Sequence, residues 1–172
     1  MTAAGDLEIH GSASPGYEPA IAALRANFLE RGDSGAAFAA VVDGEIVADL
    51  WAGWADRVNR RPWRPDTIAG IFSGTKGFVA TCLLLLLERG QLDLEQPVCA
   101  YWPEFAAQGK ERILVRHVVS HLAGLPGLST AVTAEKATDD VRMAQLLAAQ
   151  SPVCAPGTQL YYHALTFGWL CG

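Results

Sequence analysis

Ser73-Gly74-Thr75-Lys76 sets a hydroxyl three residues ahead of a primary amine, and positions i and i+3 of a helix share a face. A serine hydroxyl is a weak nucleophile, and a lysine amine can act as its base only when uncharged. Ile68 to Phe72 reads as a brief apolar strand entering the core. Ser73 to Arg89 reads as a helix capped by Gly90 and apolar on every face through its middle, which implies burial on all sides. Burial and the positive end of the helix dipole both disfavour an ammonium, so Lys76 is expected to give up its proton readily. The same helix start offers the Ser73 amide to an oxygen that acquires charge. An S-x-x-K tetrapeptide arises easily by chance; its placement at the mouth of an apolar helix is what favours chemistry.

Other residues carry groups that could do the same work. Tyr162 can pass a proton to a leaving group if cations lower its phenol, although as an isolated aromatic it reads first as packing. Ser120 and His121 are adjacent, so on a helix they point about 100° apart and are expected to be structural. His117 and His121 have the i, i+4 spacing of a metal pair, but Val118, Val119 and Ser120 between them include no glutamate, and no metal is expected. His163 reads as partly exposed packing, with a place on the pocket wall as the second possibility. Trp51, Trp54, Trp63, Trp102 and Trp169 lack interleaved basic residues and read as core or pocket wall.

The surrounding pattern supplies the elements that would hold this pair. Tyr17 to Arg31 is helical, with Ile21, Leu24, Phe28 and Leu29 on one face and Gly32 at its end. Segments 36–42 and 45–54 flank Asp43-Gly44, which predicts a hairpin with a type I′ turn. Residues 55–67 are polar with two prolines and read as a surface loop. Beyond the apolar helix, 92–105 suggests a turn and a short helix stopped by Pro103, 114–128 a helix ended by a Gly/Pro turn, and Asp139 to Ala149 an amphipathic helix. A last helix begins near His163.

In bulk, the 172 residues are 51% hydrophobic, enough for a sizeable core. Lys and Arg number 13 against 18 Asp and Glu, a net charge of −5, which argues against nucleic acid as a partner. The longest apolar run, 78–87, is too short to span a bilayer. The first 19 residues lack the charged opening and apolar run of a secretory signal and read as a polar lead-in, so a cytoplasmic location is expected. Cys82, Cys99, Cys154 and Cys171 form no C-x-x-C pair and are expected to be reduced, mostly buried thiols.

With these residues in view, the chain resembles the serine beta-lactamase and penicillin-binding-protein superfamily, in particular its class C beta-lactamase-like esterases. DGEIVADLWAGWAD resembles the opening hairpin, PDTIAGIFSGTKG the nucleophile segment, LDLEQPVCAYWPEF and ILVRHVVSHLAGLPGL the helical stretch, and YYHALTFGWLCG the Y-x-N segment. The resemblance implies an α+β, beta-lactamase/transpeptidase-like fold. It implies one incomplete domain over 1–172, with a sheet-side portion at about 15–72, a helical portion at about 73–172, and the C-terminal strands absent. It also implies acylation of Ser73, with Lys76 as base and Tyr162 as second proton-transfer group, no cofactor, and a small-molecule ester or lactam as substrate.

Two departures shape the expectation. Ala164 stands where the lactamases have the Asn of Y-x-N, so the side chain that steadies the lysine is missing and esters are favoured over beta-lactams. Neither Lys110 nor Lys136 is followed by Thr-Gly, so the third motif, which brings an oxyanion amide, has no counterpart. Loss of one such donor costs about 100- to 1000-fold in rate. The alternatives are a truncated, non-catalytic fragment, or a beta-lactamase or D-alanyl-D-alanine peptidase.

Overall fold

The computed structural model describes residues 7–172, which divide into two compact units that meet between Gly70 and Ile71. The first is an antiparallel sheet with one helix. Strand β1 (Ile9–Ala13) is followed by helix α1 (Glu18–Glu30), then by β2 (Gly35–Val42), β3 (Glu45–Asp56) and the two-residue β4 (Arg61–Pro62). The order is β1-β3-β2, with β4 paired to the end of β3.

Asp43 and Gly44 both take positive φ, 51° and 83°, as a type I′ turn requires, and β2 folds back on β3 with Val42 opposite Glu45. Along β3 the buried positions alternate, Ala48, Leu50 and Ala52, as in a strand with one face on the core. Gly53 has φ +80°, and a Cβ there would lie 2.3 Å from the Ser34 carbonyl oxygen, so glycine permits the close approach of β2. Helix α1 ends as expected, with Gly32 in the left-handed conformation just beyond it.

Two expectations fail in this unit. Ile9–Ala13 is a strand, not a polar lead-in: it pairs with β3 from Ile9↔Ala52 to Ala13↔Ala48. Its Gly and Ser residues carry no apolar alternation, so only the partner strand reveals it. The loop at 55–67 contains a second small hairpin, with Asn59 bonded to the Asp56 carboxylate at the turn and Pro62 on an edge where no ladder N–H is needed.

The second unit is built of short helices and turns. Phe72–Gly74 is a 3-10 turn leading into α2 (Thr75–Glu88); α3 (Val115–Val119), α4 (Asp140–Ala149) and α5 (Thr166–Cys171) follow. Its core gathers Val98, Phe105, Ile113, Val115, Val118, Ala123, Leu125, Leu147 and Leu170. Asp139 caps α4 by accepting from the Arg142 amide at 3.0 Å. The helix expected over 114–128 is only five residues long, because His121 (φ +62°) and Gly124 (φ +72°) turn the chain out of the helical region. The short helix expected before Pro103 is the 3-10 turn Val98–Ala100, and Pro103 itself opens a second 3-10 segment, Pro103–Gly109, since a proline at the first helical position forfeits no hydrogen bond.

The largest correction concerns α2. It is apolar all round, yet none of its residues is buried: Phe78 is 67% exposed and Leu84 58%. Ile68 to Phe72 is likewise exposed, with Ile71 and Phe72 outside any strand, so the chain does not enter the core there. Within the unit α2 meets α5 and the 3-10 turn before it, which cover one side. Toward its C-terminal half, Leu83 and Leu86 line an apolar groove of about 930 Å³ with Val141, Ala144, Trp169 and Leu170.

The thiols are also less buried than expected. Cys82 is exposed and the other three are partly covered; all four are free, and burial pushes the Cys171 thiol up to about 11. No helix among the described residues is long and apolar enough to cross a membrane.

Candidate active site

The site lies in the second unit, where the start of α2 meets the segment leading into α5. Phe72, immediately before Ser73, has φ +46°, a left-handed conformation that bulky residues rarely adopt. The 3-10 turn delivers Ser73 just before α2, and Lys76 follows on the first turn. The Lys76 Nζ lies 3.3 Å from Ser73 Oγ, so the i, i+3 geometry expected from the sequence is realised. It also donates to the Ala164 carbonyl oxygen at 2.8 Å. The steadying contact missing from the side chain of Ala164 is thus made by its backbone. Lys76 is only partly covered, because α2 does not bury it as expected.

Tyr162 completes the group. Its ring centroid is 5.0 Å from Lys76 Nζ, and the Ser73 hydroxyl and the Lys76 amine facing its phenol pull that group below the ordinary tyrosine range. Tyr162 remains 51% exposed, so its hydroxyl is open to solvent and to a reactant. The structure therefore brings together the three residues singled out from the sequence.

Two histidines set the position of that segment. His163 is fully buried, which corrects the expectation of partial exposure. Its Nε2 accepts from the Leu125 amide at 3.1 Å, which places the ring proton on Nδ1, where it donates to the Tyr161 carbonyl at 2.5 Å. Thr166 donates from Oγ1 to the Leu125 carbonyl at 2.6 Å, so both backbone groups of Leu125 are held. His121 packs its ring 4.9 Å from that of Tyr162 and accepts from the His163 amide on Nδ1 at 3.2 Å. Read from the sequence as one of a helical pair, His121 lies beyond the end of α3, so it and His117 do not share a helix face. His117 instead accepts the Leu114 amide on Nδ1 at 3.2 Å. The roles of His121 and of the Ala164 carbonyl carry no local sequence signal: one depends on a left-handed backbone, the other on a main-chain atom.

These histidines make the unit sensitive to acid. Burial is the chief cause that holds His117, His121 and His163 below the ordinary value of 6.5. With folded values depressed, the unfolded chain takes up protons first as pH falls through about 6.5 and stability drops; above that pH the contribution is fully present. A thermal-denaturation series from pH 7.5 to 5 is expected to show a falling midpoint. His163→Gln should remove up to one proton from the linkage, about 1.4 kcal/mol per pH unit at the limit. A midpoint with the same pH slope in the variant would refute the assignment to His163.

The fold has counterparts among known proteins. A solved family VIII carboxylesterase superposes with a TM-score of 0.90 at 41% identity, over 96% of this chain and 45% of that one. A penicillin-binding-protein homologue from Caulobacter crescentus gives 0.88 at 36% identity, over 96% of this chain and 44% of that one. The esterase/beta-lactamase LipL of Mycobacterium tuberculosis is 44% identical over 162 residues, 94% of this chain and 37% of that protein. The beta-lactamase family model matches residues 21–172, and the chain belongs to that family. It spans less than half the length of these relatives.

Proposed function

We propose that the chain carries the acylation machinery of a serine hydrolase that cleaves carboxylic esters through an acyl-enzyme on Ser73. The observation that supports it most is the 3.3 Å approach of Lys76 Nζ to Ser73 Oγ with the Tyr162 phenol beside both. Uncharged, the Lys76 amine accepts the Ser73 proton while one of its own N–H groups stays on the Ala164 carbonyl. Ser73 Oγ attacks the ester carbonyl, and the Ser73 amide at the helix mouth donates to the oxygen that gains charge. Tyr162, its phenol lowered by its two neighbours, returns a proton to the departing alkoxide. Water then enters by the reverse relay and frees the acid. Esters are favoured over lactams because Ala164 presents no side-chain amide to a substrate amide, and because relatives named as esterases are among the proteins this chain resembles.

Incubation with a fluorophosphonate, followed by peptide mass mapping, is expected to place the label on Ser73, and Ser73→Ala should abolish it. Label of equal intensity in the variant would rule the proposal out.

A further inference from the structure

The two residues that flank Tyr162 are tied to one residue. The Tyr161 amide donates to the His121 carbonyl at 3.1 Å, and the His163 amide donates to His121 Nδ1 at 3.2 Å. Between these anchors the Tyr162 ring leans on the His121 imidazole, with centroids 4.9 Å apart and planes at 57°. His121 thus grips the tyrosine segment by main chain, by ring nitrogen and by ring face.

His121 does so from an unfavourable backbone. Its φ of +62° lies in the left-handed region that glycine adopts freely and that other residues enter at a cost, asparagine, aspartate and histidine more often than the rest. If the position served only to end α3 and turn the chain, glycine would serve better. An imidazole there needs a side-chain reason, and the contacts above provide it. The groups that face it are Lys76 from α2, Tyr162 and His163 from the segment before α5, and Phe167 from α5, whose ring centroid is 5.2 Å away.

We infer that His121 is a positioning residue that holds the Tyr162 phenol against Ser73 and Lys76 through the acceptor on its Nδ1. The inference deepens the proposed function and rests on Tyr162 being its proton-transfer group. Asparagine tolerates the left-handed backbone and carries an acceptor near the place of Nδ1; glycine tolerates the backbone and carries none.

The test compares His121→Gly and His121→Asn with the parent chain by two readouts. One is the ionisation of Tyr162, followed by ultraviolet difference titration with Tyr162→Phe as reference. The other is the rate of fluorophosphonate labelling at Ser73. In His121→Gly the phenol should titrate closer to an ordinary tyrosine and labelling should slow about tenfold or more, with the melting midpoint unchanged or raised. His121→Asn should recover most of both. Loss in both variants, loss in neither, or collapse of the fold in His121→Gly would overturn the inference, the last by showing a structural role. If the parent chain fails to label at Ser73, the hydrolase proposal fails by itself, and the tyrosine titration still decides the role of His121.

Discussion

Lys76→Met is expected to slow covalent labelling of Ser73 by about 100- to 10,000-fold, the range that a positioned general base contributes. Methionine keeps an unbranched stem near the Tyr162 and Phe167 rings, which lie 5.0 and 5.7 Å from Nζ, so packing is nearly preserved while the base is deleted. In free energy the loss corresponds to about 3 to 5 kcal/mol of transition-state stabilisation. Lys76→Arg separates charge from basicity: the guanidinium can still donate to the Ala164 carbonyl and pull on the Tyr162 phenol, but it does not deprotonate. It should therefore be as slow as methionine. Stopped-flow or gel-based labelling rates across pH 6 to 10 provide the measurement. Labelling of either variant within threefold of the parent would remove Lys76 from the base role and leave Tyr162 as the group to test.

The second large effect lies away from the site. Lys110 is fully buried, and its Nζ donates to the carbonyls of Ala107 at 2.6 Å, Ala148 at 2.9 Å and Gln150 at 2.5 Å. It faces the Phe105 ring at 5.4 Å. The ammonium thereby caps the C-terminal end of α4, where unpaired carbonyls and the negative end of the dipole favour a cation, and it ties that end to the irregular segment Pro103–Gly109. Lys110→Met leaves three carbonyls in the interior without this donor. Each unsatisfied buried acceptor costs about 1 to 3 kcal/mol, offset in part because a buried charge is removed as well. A net loss of about 3 kcal/mol is expected, seen as a melting midpoint lowered by roughly 6 to 12 °C. A loss below 1 kcal/mol in urea titration would mean that water or a shift of the 103–109 segment satisfies the carbonyls.

Much of this was legible before any coordinates. The Asp43-Gly44 turn, the end of α1 at Gly32 and the amphipathic helix that follows Asp139 come from local chemistry, where a few adjacent residues dictate the backbone. The Ser73–Lys76 contact follows from helical spacing alone, as positions three apart share a face. Strand β1 was not legible, because Ile9–Ala13 is extended only by virtue of pairing with β3. The exposure of α2 is not legible for a related reason: an apolar face shows a capacity for burial, whereas exposure depends on which segments pack against it.

Residue types and short-range spacing thus determined the proposed nucleophile, the amine beside it and the turns and helix ends that shape the elements. Tertiary structure decided what lies around that pair: the Ala164 carbonyl on Lys76, 88 residues along the chain, the Tyr162 phenol beside it, and His121 packed against that tyrosine from a left-handed backbone. The division has a physical origin. Side-chain chemistry and i, i+3 geometry are local properties of a chain, but a main-chain oxygen becomes a ligand, and a strained turn becomes tolerable, only when distant segments converge and over-determine their positions.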